Sequence, residues 1–122
     1  MAHEILKPGF ERQDDRGLFR EILNSGQWEA MNWAMMKKGS VLGNHYHKKT
    51  TVFFYVVNGL AKIRTVNVDT GERDEFSVPE GHGVMLSPMQ SHAIHFMEES
   101  QVIMLKSHRF DPSDPDTFHH TV

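Results

Sequence analysis

The sequence predicts an all-β protein built as an antiparallel sandwich or barrel, and three observations carry that expectation. Apolar residues recur at short period almost throughout, not at helical spacing. Turn signals interrupt the β-branched and aromatic runs every eight to twelve residues or so. Two of those signals, Asn58-Gly59 and Asp69-Thr70-Gly71-Glu72, have the composition of tight hairpin turns, where residues tolerant of positive φ are needed. Little chain remains for helix.

Taken in order, the first expected strand covers 18–23 and follows the polar turn around Asp14, Asp15, Arg16 and Gly17. In 30–36, alternation sets Met31, Trp33 and Met35 on one face and Asn32, Ala34 and Met36 on the other, a methionine-rich strand suited to packing on another sheet or subunit. A strand over 40–47 puts His45 and His47 on one face with Val41 and Gly43, and Tyr46 on the other, because side chains at i and i+2 share a face. The strand over 52–57 is apolar on both sides, Phe53, Tyr55 and Val57 against Phe54 and Val56. One side then belongs in a barrel, with Tyr55 as a barrel residue, and the other at an interface, so a homodimer is expected. Strands over 61–68 and 74–78 flank the Asp-Thr-Gly-Glu turn. Pro79-Glu80-Gly81 and Ser87-Pro88 bound a short strand over 83–86, since proline cannot donate to a ladder. Strands over 92–97 and 101–108 complete the set. The tail RFDPSDPDTFHHTV is rich in Asp and Pro without period, so it is expected to leave the sheet and wrap the surface or fray.

A chain of 122 residues is long enough for one core and too short for two. A single domain over 1–122 is expected, with an N-terminal edge-strand arm over about 1–24 and an irregular tail over about 109–122. The formal charge is only −3 and acidic and basic residues are interleaved, which offers no basic stripe for nucleic acid. There is no cysteine, hence no disulfide framework and no thiolate chemistry. The first residues lack the apolar region of a signal peptide, and no apolar run approaches the roughly 18 residues of a membrane span. A soluble cytoplasmic protein, with neither nucleic acid nor membrane as partner, is the expectation.

The paired imidazoles of His45 and His47 acquire a third candidate in His92, at the start of a later strand, with His95 on the opposite face. Three imidazoles with open positions make a site for a divalent Zn, Fe, Ni or Mn ion, among which geometry and not affinity chooses. An exposed pair beside Lys48 and Lys49 could equally be a solvated loop. His3 is terminal, His82 lies in a turn, His119 and His120 lie in the tail, and His108 ends a strand where it could reach a pocket rim.

The stretches GNHYHKKTTVFFYVVNG (43–59) and PEGHGVMLSPMQSHAIHF (79–96) resemble the two motifs of the cupin superfamily. The resemblance covers roughly 40–105 and implies a double-stranded β-helix, the jelly-roll barrel. Cupins that hold a metal usually carry a Glu four or five residues after the second motif histidine; Thr51 and Val52 stand there here. The resemblance therefore implies a three-His metal site at His45, His47 and His92, or none.

Two further stretches resemble the sugar-nucleotide branch of cupins. DDRGLFREI (14–22) is similar to the N-terminal motif of the dTDP-4-keto-6-deoxyhexose 3,5-epimerases, and HYHKK (45–49) to a motif of the dTDP-sugar 3,4-ketoisomerases; FDPSDPDT (110–117) is similar to the end of cupin domains attached to capsular-polysaccharide sugar reductases. The resemblance implies a nucleotide-sugar substrate, with Arg16 on a phosphate, Phe19 near the base and Glu21 accepting a hydrogen bond. It further implies His45 or His47 as the base that moves a proton next to a 4-keto group, since imidazole titrates near neutral pH. Lys49, Arg64 or His92 could stabilise the enolate oxygen, and Tyr55 is a further substrate-facing candidate. Leu42 stands where the epimerases carry an arginine, and their acid tyrosine has no match. The expected function is isomerisation or epimerisation of a nucleotide-linked 4-keto-6-deoxy sugar with no obligatory metal, in surface-polysaccharide or deoxysugar biosynthesis. Two alternatives stay open: a metal- or sugar-binding cupin without turnover, and a three-His metal-dependent dioxygenase.

Overall fold

Apolar side chains alternate along most strands of the chain, and this gives each of two sheets one face to bury. In the computed structural model, which describes residues 3–122, the strands are β1 (Phe10–Asp14), β2 (Gly17–Glu21), β3 (Ala30–Met36), β4 (Val41–Tyr46), β5 (Val52–Asn58), β6 (Leu60–Asn67), β7 (Arg73–Pro79), β8 (Gly83–Leu86), β9 (Gln90–Phe96), β10 (Ser100–Lys106) and β11 (Phe118–His119). No helix occurs among the described residues, and so none is long and apolar enough to cross a membrane. One sheet has the order β3-β10-β5-β8, the other β11-β4-β9-β6-β7, and β1 and β2 form a separate ribbon. Every pairing is antiparallel.

Strands distant in sequence are the ones that pair: β10 lies between β3 and β5, and β9 between β4 and β6. The chain thus passes repeatedly from one sheet to the other, the double-stranded β-helix expected from the cupin motifs. Val52, Phe54 and Val56 of β5, Val84 and Leu86 of β8 and Val102 of β10 meet Ala61 and Ile63 of β6, Val78 of β7 and Ile94 and Phe96 of β9 in the core between the sheets.

Three sequence expectations change. Asn58-Gly59 does not close a hairpin, because β5 and β6 belong to different sheets. It carries the chain across the edge instead: Gly59 has φ 102°, and any Cβ there would meet Ser100 and the backbone of Glu99. Tyr55 faces away from the barrel interior, since the inward side of β5 is taken by Val52, Phe54 and Val56. Tyr55 and Phe53 are nonetheless buried, bordering an apolar groove with Phe19, Ile22 and Leu23. Finally, the tail wraps the surface as expected but its end rejoins the barrel, Phe118 pairing with Tyr46 and His119 with His45.

The N-terminal arm holds a strand, β1, that the sequence pattern did not show, because its five residues FERQD are all exposed and carry no alternation. His3, read as a plain terminal residue, is anchored: its backbone N–H and Nδ1 both meet Asp74 Oδ2, at 3.0 and 2.7 Å, and its ring stacks on Phe76.

Candidate functional site

His45 reaches the barrel interior through an irregularity in β4. Gly43 pairs with Ala93 and His45 with His92, which leaves Asn44 as an extra residue in the strand. Asn44 has φ 59° and Gly43 φ 108°, both in the left-handed region, where Gly is at ease and Asn is tolerated. The bulge shifts the alternation by one. Leu42, opposite the core residue Ile94, shares the inner face with His45, while Val41 is 44% exposed; the expectation that Val41 and Gly43 lie on the histidine face is corrected accordingly.

His47 follows at the end of the strand and His92 comes from β9, where Ile94 and His92 project inward two residues apart. The three rings meet closely, with centroids 4.7 Å apart for His45 and His92, 5.1 Å for His45 and His47, and 5.8 Å for His47 and His92. One ring nitrogen from each lies within 4.8 Å of the others. The trio borders a chamber of about 190 Å³ walled by Leu42, Gly43, Val52, Leu86, Ile94 and Met104. Lys106 completes the wall, so the chamber has a single fixed charge, and that charge is positive.

This environment favours neutral imidazoles at His45 and His92. Burial, followed by the neighbouring His45 and His47, pushes His92 down to about 3. Burial also lowers His45, helped by His47 and Lys106 and opposed by a hydrogen bond that the ring donates to the Gly43 backbone. His47 sets its Nδ1 2.5 Å from the carbonyl oxygen of Asp116, which can only accept. Nδ1 therefore carries a proton and donates, and in the neutral ring Nε2 is the nitrogen with the free lone pair.

A second, more polar cleft of about 210 Å³ adjoins the chamber and shares His47 and Lys106 with it. Its wall includes Glu29, Lys49, His108 and Arg109 and the tail residues Phe110, Asp111, Asp114 and Asp116. Lys49 sits at this rim, tied to Asp114 at 3.3 Å, and His108 reaches it as anticipated.

The structure thus brings His45, His47 and His92 together and places Lys49 beside them. It leaves the other candidates elsewhere. Arg64 points outward from β6 and binds Glu75 at 2.8 Å, because Ile63 and Thr65 take the inner side of that strand. Arg16 is exposed and pairs with Asp14 at 2.7 Å. Phe19, Glu21 and Tyr55 border the groove on the outer side of the β3-β10-β5-β8 sheet, which shares no residue with the histidine chamber. Lys106 and Asp116 were not singled out from sequence. The signal for Lys106 was the alternation Val102, Met104, Lys106 along β10; for Asp116 the sequence offered none, since its partners lie about 68 residues away.

Comparison with known proteins places this geometry among carbohydrate-related chains. Over 109 residues the chain is 29% identical to the UDP-2-acetamido-2,6-beta-L-arabino-hexul-4-ose reductase of Pseudomonas aeruginosa, matching 86% of this chain and 29% of the reductase. Its fold matches the capsular polysaccharide assembling protein CapF of Staphylococcus aureus with a TM-score of 0.72 and 29% identity, over 93% of this chain and 32% of CapF. The chain therefore spans less than a third of either relative. The fold is shared further with the 3,4-ketoisomerase QdtA of Thermoanaerobacterium thermosaccharolyticum, solved with TDP, at a TM-score of 0.77 and 17% identity over 97% of this chain and 88% of QdtA. With a jelly roll of the cupin type around a three-histidine chamber, and a match to the family model over residues 12–118, the chain belongs to the polysaccharide biosynthesis C-terminal domain family.

Proposed function

We propose that the chain is an isomerase or epimerase module acting on a nucleotide-linked 4-keto-6-deoxy sugar by histidine acid/base chemistry, in surface-polysaccharide or deoxysugar biosynthesis. The observation that carries this reading is the make-up of the chamber: three imidazoles, apolar walls, the Lys106 ammonium and no carboxylate. Negative charge that develops on a sugar oxygen is favoured there, and the low-dielectric walls strengthen the effect. The relatives support the substrate class, since the reductase is named for a UDP-linked hexul-4-ose and CapF for capsular polysaccharide.

In this reading Nε2 of His47 removes the proton from the carbon beside the carbonyl. The C–H electron pair shifts to form the enolate, whose oxygen faces Lys106, and the imidazolium returns the proton to another atom or to the other face of the sugar. His45 and His92, held neutral by burial, orient the sugar oxygens. Lys49 at the rim takes a substrate phosphate or hydroxyl. Arg16, Phe19 and Glu21 remain the proposed nucleotide contacts; lying apart from the chamber, they reach a nucleotide bound there only when another copy of the chain presents them. No metal enters the step.

The clustered donors favour one second reading, a metal- or sugar-binding module without turnover. Three ring nitrogens within 4.8 Å of one another fit the ligand set of a divalent Zn, Fe, Ni or Mn ion, with His45, His47 and His92 as the holders. Lys106 in the same wall opposes a dication by charge repulsion.

The two readings separate in one experiment, proton NMR of dTDP- and UDP-linked 4-keto-6-deoxyglucose in deuterium oxide. Wild-type protein is expected to place deuterium at C3. His47→Gln should slow exchange by about 10²–10⁴-fold, and Lys106→Met by about 10²–10³-fold. Absence of exchange with both substrates, together with stoichiometric bound metal, would replace the isomerase reading with the binding one.

A further inference from the structure

The geometry points to Asp116 as the positioning residue of the site: the C-terminal strap, through this one aspartate, sets the tautomer and direction of His47. Five hydrogen bonds converge on Asp116. Its carbonyl oxygen accepts from His47 Nδ1 at 2.5 Å. Its carboxylate accepts the backbone N–H groups of Lys48, Lys49 and Thr50 at 2.7, 3.0 and 2.9 Å, and the Thr50 hydroxyl at 2.8 Å. One residue therefore holds both the imidazole and the three-residue turn that follows it.

The strap is itself fixed in place on the far side of Asp116. Two residues on, Phe118 and His119 pair with Tyr46 and His45 as the edge strand β11. His120 N–H donates to the Asn44 carbonyl at 2.8 Å, Val122 N–H to Asn44 Oδ1 at 3.1 Å, and Ser91 Oγ to the His120 carbonyl at 2.6 Å. Asn44 is the bulged residue that turns His45 inward. The strap thus grips both ends of the His-x-His segment, at the bulge before it and at the turn after it.

The chemical consequence lies on the opposite ring nitrogen. A carbonyl oxygen can only accept, so Nδ1 is protonated, and of the two neutral tautomers the structure selects the one that leaves Nε2 with its lone pair. A histidine rotated or in the other tautomer would direct an N–H where a base needs a lone pair. Asp116 touches no reacting atom in this arrangement; it acts through His47. The effect on rate rests on the proposed role of His47, whereas the tautomer is read without any substrate.

Long-range proton–nitrogen NMR correlations on the full chain distinguish the two neutral tautomers. In the wild type, His47 is expected in the Nδ1–H form; Asp116→Ala keeps the backbone carbonyl but removes the carboxylate that ties it to the 48–50 turn, so the carbonyl is expected to drift from the ring and a mixture of the two tautomers to appear. Where the wild type catalyses exchange, Asp116→Ala should lower kcat about tenfold, the low end of the loss that follows when groups orienting a metal-bound histidine are removed, with KM little changed. Asp116→Asn keeps the shape and two acceptor lone pairs and is expected to fall between the two; it decides the matter if the alanine variant fails to fold. A wild-type His47 in the Nε2–H form, or variants that fold and retain the wild-type tautomer, would overturn the assignment. Absence of exchange by the wild type with the tautomer as expected would instead count against the isomerase reading alone.

Discussion

Burial of His92 makes the stability of the protein depend on pH. In the folded chain this imidazole is pushed down to about 3 and in the unfolded chain it titrates near 6.5, so the unfolded state binds the proton more readily throughout that window. Its contribution is complete above about pH 6.5 and is lost progressively as pH falls towards 3, at about 1.4 kcal/mol per pH unit. His45 acts in the same direction. Urea unfolding should therefore show a stability lower by about 2 kcal/mol at pH 5 than at pH 6.5, and His92→Gln should flatten that dependence. Equal midpoints for the wild type at the two pH values would refute the account. The trio was legible in the sequence because His45 and His47 stand two apart in a strand and His92 opens another between turn signals. Lys106 was legible in principle from the alternation of β10, but a lysine at a strand end is ordinarily a surface residue. Asp116 was not legible: it stands in a Pro-Asp tail without period, and only the folded chain brings it against residues 47–50.

At the scale of elements, β4 shows how a local break in pattern serves the site. Were Asn44 held in regular register and not bulged, strict alternation from Leu42 would turn Asn44 inward and His45 out. Gly43 makes the bulge feasible, because any Cβ at that position would run into the backbone of His92 and would also be strained at φ 108°. Gly43→Ala is expected to destabilise the fold by roughly 1–3 kcal/mol and to disturb the histidine cluster. Thermal unfolding checks the first effect and the histidine NMR signals the second; a variant with wild-type stability and spectra would remove this role for the bulge. Most strands were legible from period and turn chemistry, and β3 and β8 lie where the sequence put them. The short elements were not, since β1 is exposed throughout and the two residues of β11 exist only through pairing with β4. Asn58-Gly59 misled for a related reason: its chemistry specifies a tight reversal, and in this fold the reversal leads to the opposite sheet.

The whole molecule leaves one face uncovered. On β3, which has a neighbour on only one side, Met31, Trp33 and Met35 are 67%, 59% and 54% exposed, and the groove bordered by Met31, Ile103 and Leu105 continues that apolar surface. We propose a homodimer formed through this face; the sequence expectation of a homodimer rests on the strand over 52–57, apolar on both sides, and the methionine-rich strand over 30–36 is suited to another sheet or subunit. Light scattering should give twice the chain mass for the wild type and a monomer for Trp33→Glu; a monomeric wild type at micromolar concentration would end the proposal. The scattered origin of the site has a consequence for how the molecule is made. Its parts come from β4, β9, β10 and the strap, and the strands that carry them pair with partners far along the chain, an arrangement that slows folding because long loops must close first. The strap docks on the edge of β4 and on residues 48–50, so His47 is expected to gain its partner only once those segments are in place.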